Sequence, residues 1–306
     1  MTSADSLTRV RDMNPTDIRQ IRSFNRTVAE GIGALNDHFL GRGRPMGESR
    51  LVWEIGAEGV DLRVLRERLG LDSGYLSRTL AALERQGLVA VGARPDDRRV
   101  RRATLTEAGR VERDELERLS DAVAGGMLAP LNDAQRQRLI AAMAEVERLL
   151  QPSLVRFAIE DPTSADAQWC IDQYFAELNA RFDSGFDPSV SLSADAHELT
   201  APQGALIVAR LRGAAIGCVA LKFHGSSPAE LKRMWVSAAA RGLGVGRRLL
   251  EEAEKLALRN GARVLRLETN KSLAEAISLY RRSGYVEVAA FSAEAYADHW
   301  FEKALR

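Results

Sequence analysis

Apolar residues recur along this chain with two different rhythms, and the change of rhythm divides it. Up to about residue 150 the spacing is helical. Ile18, Ile21, Val28 and Ile32 predict an amphipathic helix over 14–39, and Leu119, Val123, Met127, Leu139, Met143 and Val146 predict a long helical stretch over 116–150. Leu62, Leu65 and Leu69 mark a short helix over 61–69. After a Gly70-Leu71-Asp72 turn, Leu76, Leu80 and Leu83 mark a second over 73–86. Two short strands follow, at 88–91 and 100–106. Beyond residue 150, strands and helices alternate. An apolar run at 231–236 reads as a buried strand, and Leu249, Leu250, Ala253, Leu256 and Ala257 line one face of a helix over 247–259. A strand at 262–269 and a helix over 272–283, stopped by Gly284, close the pattern. The residue before a proline disfavours helix, so Gln151-Pro152 is read as the boundary between two domains, 1–151 and 152–306.

Length agrees with two domains, since the chain has 306 residues. No apolar run is long enough to span a bilayer, and residues 1–35 do not read as an export leader, so a cytoplasmic protein without a membrane partner is expected. Cys170 and Cys218, without a CxxC, read as small core residues, and His38, His197 and His224 lack metal-ligand spacing. Net charge is +1. Residues 1–152 hold 24 Arg against 23 acidic residues, so any affinity for a polyanion comes from placement. Glu112, Asp114, Glu115 and Glu117 read as a solvated helix face or one that meets a partner subunit. The long helices expose more apolar face than a small domain can bury, and a homodimer is expected.

The most specific chemical signal is Arg241-Gly-Leu-Gly-Val-Gly-Arg-Arg248, between the strand at 231–236 and the next helix. Gly242, Gly244 and Gly246 let the backbone turn tightly, and a helix opening near Val245 turns its positive end and free N–H groups toward an anion such as pyrophosphate. The terminal Gly-Lys-Ser/Thr of a nucleotide-triphosphate loop is absent. Arg241-x-x-Gly244-x-Gly246, together with Ala276-Ile-x-Leu-Tyr280-x-x-x-Gly284-Tyr285, resembles the signatures of the GNAT family of N-acetyltransferases over about residues 154–306. The resemblance implies an α/β GNAT fold with a mixed, splayed sheet and acetyl-CoA as acetyl donor, without a metal. It implies that backbone groups of Met234 and Val236 pair with the pantetheine amides and that Leu243, Gly244, Val245, Gly246 and Arg247 hold the pyrophosphate. Arg241, Arg247 or Arg248 would neutralise phosphate charge. Glu230 would be the base, with Glu268 as the rival carboxylate, and Tyr280 the acid for the leaving thiolate. Many family members have Asn where this chain has Leu273, so Asn270 is the expected substitute contact. Tyr296, His299, Trp300 and Phe301 read as a packed last strand rather than a substrate cage. The residues from Asp166 to Thr200 carry no legible motif.

In the first half, the two short helices have helix-turn-helix spacing, and the second presents Ser73, Tyr75, Ser77, Arg78 and Arg85 outward, side chains of the kind that reach phosphates and base edges. The strands at 88–91 and 100–106 flank an arginine-rich tip. Asp97-Arg98-Arg99 and Leu105-Thr106 resemble the wing of MarR-family regulators, over about residues 15–150. The resemblance implies a mainly α winged helix-turn-helix domain that binds double-stranded DNA at a near-palindromic operator. Arg94, Arg98 and Arg99 would enter a minor groove, with Asp96 or Asp97 orienting an arginine through a bidentate pair. Joined, the two halves imply a bifunctional transcriptional regulator and N-acetyltransferase acting on a small-molecule or protein amine. The alternative is a regulator whose second half is a catalytically weak acetyl-CoA or ligand sensor.

Overall fold

The structure is a computed structural model that describes residues 14–34, 39–94, 97–191, 194–225 and 228–306; Met1 to Met13, His38 and Asp96 lie outside them. The chain divides into two compact units, 1–141 and 142–306.

In the first unit, helix α1 (Pro15–Gly31) starts at Asn14, whose side chain accepts the Thr16 N–H at 2.9 Å. It stops eight residues short of the expected 39, and Gly33 takes a left-handed φ of 65° that ends a helix. Helix α2 (Met46–Ile55) leads to strand β1 (Val60–Asp61) and to the helix-turn-helix itself, α3 (Leu62–Leu69) and α4 (Ser73–Arg85). Gly70 supplies the left-handed turn at φ 65°, and Asp72 caps α4 by accepting the Tyr75 N–H at 2.8 Å. Strands β2 (Val89–Ala93) and β3 (Arg101–Leu105) form the wing, in an antiparallel sheet of order β1-β3-β2. Leu51, Ile55, Leu65, Leu76, Leu80, Leu83 and Leu105 make the core. Helix α5 (Glu107–Leu128) lies against Leu88, where a Cβ on Gly109 would stand 1.9 Å from the Leu88 carbonyl oxygen.

Two expectations for this half are corrected. The stretch over 116–150 is two helices, α5 and α6 (Asp133–Leu154). Pro130 cannot extend α5, and Asn132 and Gln135 exchange hydrogen bonds of 2.9 and 3.0 Å that start α6 afresh. Helical spacing of the apolar residues continues across the break and hides it. Glu112 is not solvated: its side chain is 6% exposed and ion-paired with Arg42 and Arg44, with Arg42 Nε at 3.0 Å.

The second unit is a seven-stranded sheet of order β4-β5-β6-β7-β8-β10-β9. The strands are β4 (Arg156–Glu160), β5 (Gly204–Leu211), β6 (Ala214–Lys222), β7 (Ala229–Val236), β8 (Val264–Thr269), β9 (Val286–Val288) and β10 (His299–Ala304). Among the described residues only the β7–β8 pairing is parallel. Strand alternation sends Ala205, Ile207 and Ala209 to one face, with Leu249, Leu250 and Ala253 of α8 (Val245–Arg259) and Ile277 of α9 (Ala274–Arg282). Leu206 and Val208 go to the other, with Cys170 and Ile171 of α7 (Ala165–Arg181); Cys170 and Cys218 are buried free thiols there. The expected helix stop before Pro152 is not found, because α6 continues to Leu154. Arg248 donates to the Pro152 and Val155 carbonyl oxygens at the helix end, the first of which also accepts the Val155 N–H at 3.3 Å.

Glu112→Gln should cost the first unit about 3 kcal/mol, because it strands buried guanidinium charge; urea unfolding followed by circular dichroism measures this. Burial alone would raise the Glu112 carboxyl, but the Arg42 hydrogen bond and the Arg44 and Arg42 charges outweigh it and hold it below its ordinary 4.5. A lowered folded value means this stabilisation is complete above about pH 4.5 and is lost as pH falls through the folded value. The wild type should therefore lose stability faster than the variant below that pH.

Candidate functional site

The site in the second unit begins with a pairing that stops early. Strands β7 and β8 pair only at Ala229–Leu265 and Glu230–Arg266, so Leu231 to Val236 runs free of its parallel neighbour. On the other side, register with β6 shifts between Cys218–Trp235 and Ala220–Lys232, which places a bulge at Arg233 and Met234. Arg233 sits there at φ 50°, a strained conformation for a long side chain. The bulge bends β7 away from β8 and opens a cleft.

The glycine turn closes one end of this cleft. Gly242 and Gly244 have φ of 79° and 72°, and a Cβ added at either would meet nothing within 4 Å. Their freedom is therefore needed for backbone direction, and the space above the turn is open. The first helical bond of α8 runs from the Arg248 N–H to the Gly244 carbonyl, so the N–H groups of Val245, Gly246 and Arg247 have no earlier helical carbonyl to bond. A cavity of about 620 Å³ lies here, lined by Met234, Val236, Arg241, Gly242, Gly244 to Arg247, Leu279 and Tyr280. Leu243 is 7% exposed and turns into the core, leaving its backbone for the turn. Arg241 donates to the Val236 carbonyl at 3.3 Å and to Glu177 Oε2 at 2.6 Å, whereas the Arg247 side chain is 68% exposed. Arg248 is bound at the end of α6 and stacks on Phe157 at 4.7 Å, so it faces elsewhere.

A second cavity of about 110 Å³ adjoins the first. Tyr174, Leu178, Met234, Leu273, Ala276 and Tyr280 line both. Tyr280 is thus at the junction. Its hydroxyl faces Met234 Sδ at 3.8 Å, a weak acceptor, and burial pushes its phenol well above the usual range.

The carboxylates fall differently from the expected order. Glu230 lies within β7, not ahead of it, and among the described residues it lines neither cavity. It is held by Arg266 at 2.6 Å, with Lys232 at 3.6 Å and His224 at 3.5 Å. Burial would raise its carboxyl, yet the Arg266 hydrogen bond and the neighbouring cations bring it below the ordinary value, which makes it a poorer base. Glu268 lines the smaller cavity, with Oε1 on Lys232 and a buried Oε2 that accepts no hydrogen bond. Asn270 lines the smaller cavity too, not the one at the glycine turn. It spends its side chain on the Tyr296 carbonyl and the Ser272 N–H, both at 2.8 Å.

Sequence reasoning missed α7. This helix brings Tyr174, Phe175 and Leu178 to the smaller cavity and Glu177 and Arg181 to the larger. Cys170, Ile171, Tyr174, Phe175 and Leu178 follow helical spacing and could have revealed a buried face. Tyr296 precedes β10 and faces the smaller cavity, apart from Phe301, which is packed in the strand.

In the first unit, Ser73, Tyr75, Ser77 and Arg78 are exposed on α4, opposite buried Leu76 and Leu80. Arg98 and Arg99 are exposed at the wing tip. Arg94 and Arg102 are tied instead to Asp61 at 3.1 and 3.2 Å, the residue that precedes α3. The expected bidentate acid–arginine pair is not formed by Asp97. A single oxygen, Oδ1, accepts both the backbone N–H of Arg99 at 3.0 Å and its Nε at 3.3 Å. Those bonds lower the Asp97 carboxyl, the backbone bond most.

The two architectures define a winged helix-turn-helix and an acyltransferase-type α/β domain. Residues 171–285 match the model of the acetyltransferase (GNAT) family, and residues 42–100 match that of the MarR family. The chain thus joins a MarR-family domain to a GNAT-family acetyltransferase domain. It is 40% identical over 95 residues to an IAA acetyltransferase of Azospirillum brasilense, an alignment covering 30% of this chain and 61% of that protein. It is 36% identical over 86 residues to an uncharacterized N-acetyltransferase of Schizosaccharomyces pombe, covering 28% of this chain and 53% of the relative. Among solved structures, a MarR-family transcriptional regulator from Rhodococcus sp. RHA1 aligns with 44% of this chain and 96% of its own, at 24% identity and a TM-score of 0.34. A GNAT family acetyltransferase from Elizabethkingia anophelis with acetyl-CoA bound aligns with 50% of this chain and 99% of its own, at 14% identity and a TM-score of 0.36. Among the described residues no helix is long and apolar enough to cross a membrane, and no group of three His, Cys, Asp or Glu converges to hold a metal.

Proposed function

We propose that this chain is a DNA-binding regulator that also transfers an acetyl group from acetyl-CoA to an amine. The observation that carries the transferase reading is the continuity of the glycine-turn cavity with a second cavity across Tyr280. The residues fit the donor. Val245, Gly246 and Arg247 offer N–H groups at a helix N-terminus to the diphosphate, Arg241 and Arg247 offer charge, and the free edge of β7 at Met234 and Val236 offers backbone partners to the pantetheine amides. Acetyl-CoA supplies an activated thioester. The chain's part is to hold an amine against that thioester, because orientation provides much of the rate. An ammonium of ordinary pKa must first lose a proton, and Glu268 Oε2 is better suited to receive it than Glu230, which is neutralised outside both cavities. Tyr280 stays protonated because its phenolate would be desolvated, and it donates to the departing sulfur.

The regulator reading rests on the exposed polar face of α4 and the exposed Arg98 and Arg99 at the wing tip. Two copies would place two such faces on a near-palindromic operator. Dimerisation is supported by α1 and α6, which bury none of their side chains and expose Ile21, Phe24, Ile140 and Met143.

Calorimetry should show acetyl-CoA binding to the wild type and none to Gly244→Glu, whose side chain would enter the open space above the turn; equal binding by both would refute the assigned cradle. Tyr280→Phe should lower kcat about 100-fold while leaving acetyl-CoA affinity in place. Donor binding without release of free thiol from any amine would identify a sensor instead of an enzyme. Arg99→Ala should weaken binding to all duplexes alike and reduce the slope of log K against log salt by about 1, as loss of one phosphate contact requires.

A further inference from the structure

Resting on the acyl-transfer reading, the smaller cavity can be asked which amine it holds. Its volume of about 110 Å³ is smaller than that of a cavity known to take one benzene ring, about 150 Å³, so an acceptor can present no more than one ring to it. Its wall is aromatic. Phe175 and Phe186 stack at 5.5 Å between centroids, and Tyr296 lies 4.9 Å from Phe186. Among the described residues its charged lining is balanced, Lys232 and Arg233 against Glu268 and Glu294. Balanced charge gives a polycation such as a polyamine or an aminoglycoside nothing to gain, and a ring-lined space of this size leaves no room for a chain of several residues.

Two charges in that lining are placed for opposite partners. Glu268 Oε2 is buried and accepts no hydrogen bond, an unsatisfied position that an ammonium would complete. The Arg233 guanidinium lies 5.2 Å over the Phe175 ring, sent into the cavity by a backbone held at φ 50° in the β7 bulge. Strain of this kind persists where the surroundings over-determine it, as at ligand clamps. A planar guanidinium recognises a carboxylate through two parallel hydrogen bonds.

From these features we infer that the acceptor is an aromatic α-amino acid: its ring among Phe175, Phe186 and Tyr296, its carboxylate on Arg233, and its amine at Glu268 beside Tyr280. In the transfer, the amine nitrogen forms a bond to the thioester carbonyl carbon as the carbon–sulfur bond breaks. One ammonium proton goes to Glu268 before attack. As the carbon–sulfur bond breaks, the thiolate takes the Tyr280 proton, the second nitrogen proton passes to the Tyr280 oxygen, and Glu268 releases its proton to solvent. The products are the N-acetyl amino acid, free CoA thiol and one proton.

The test is release of free thiol by the full-length protein with acetyl-CoA and L-phenylalanine, L-alanine, 2-phenylethylamine, spermidine or a lysine-containing peptide. Expected is a kcat/KM for L-phenylalanine at least about tenfold above L-alanine, which lacks the ring, and 2-phenylethylamine, which lacks the carboxylate. In Arg233→Lys, which keeps the charge and loses the fork, the preference for L-phenylalanine over 2-phenylethylamine should fall roughly tenfold, the worth of one charge-assisted hydrogen bond. Fastest turnover with spermidine or the peptide would overturn the assignment and leave acyl transfer standing. If no amine releases thiol although acetyl-CoA binds, acyl transfer fails, and calorimetry with L-phenylalanine decides the pocket: binding upholds it as an amino-acid site, and none overturns it.

Discussion

Everything at the transferase site depends on a hydrogen-bond ladder that is not completed. Backbone N–H and C=O groups in a sheet are normally paired, and leaving them without partners is costly unless solvent or a ligand takes the neighbour's place. Here β7 and β8 pair at two positions and then part, so the second half of β7 keeps a free edge inside the domain. The bulge at Arg233 and Met234 bends the strand, and the glycine turn that follows can then project the N-terminus of α8 toward the same opening. Remove the divergence and the cavity at the turn, the cavity beside Glu268 and the position of Tyr280 between them all disappear.

Charge placement follows from how the cleft is walled. A buried carboxylate is tolerable only with partners, and the chain supplies them unevenly. Glu230, on the paired part of β7, gathers Arg266, Lys232 and His224, and its charge serves the fold. Glu268, two residues past the last β7–β8 pair at Arg266, shares Lys232 but keeps one oxygen for the cavity. The same rule makes Glu112 a structural residue in the first unit, where it gathers Arg42 and Arg44. It also ties Arg94 and Arg102 to Asp61 and leaves Arg98 and Arg99 exposed at the wing tip.

The glycine turn was legible because its requirement is local: a tight turn with positive φ at 242 and 244, followed by a helix, can be written in five residues. The same holds for the helix-turn-helix, where leucine spacing and one left-handed glycine set two helices. Legibility failed where the deciding atoms are distant in sequence. Helical periodicity ran unbroken across Pro130 and Asn132, so two helices looked like one. Pro152 seemed an ending, yet the helix runs on to Leu154, and the Pro152 carbonyl is met by Arg248, 96 residues later.

By itself, then, the sequence determined the two domain types, the helix-turn-helix and wing, the glycine turn before a helix, and Tyr280 as a residue of the second motif, since each is encoded in neighbouring side chains and in period. Only the tertiary structure decided which carboxylate meets the cavity, which arginines are spent on acids of the same chain, and which rings gather around the smaller cavity. Glu230 and Glu268 have similar surroundings in sequence and differ by strand pairing. Tyr174, Phe186 and Tyr296 come from separate segments and meet only when α7 packs against the sheet, because burial and Coulomb interaction depend on distance in space.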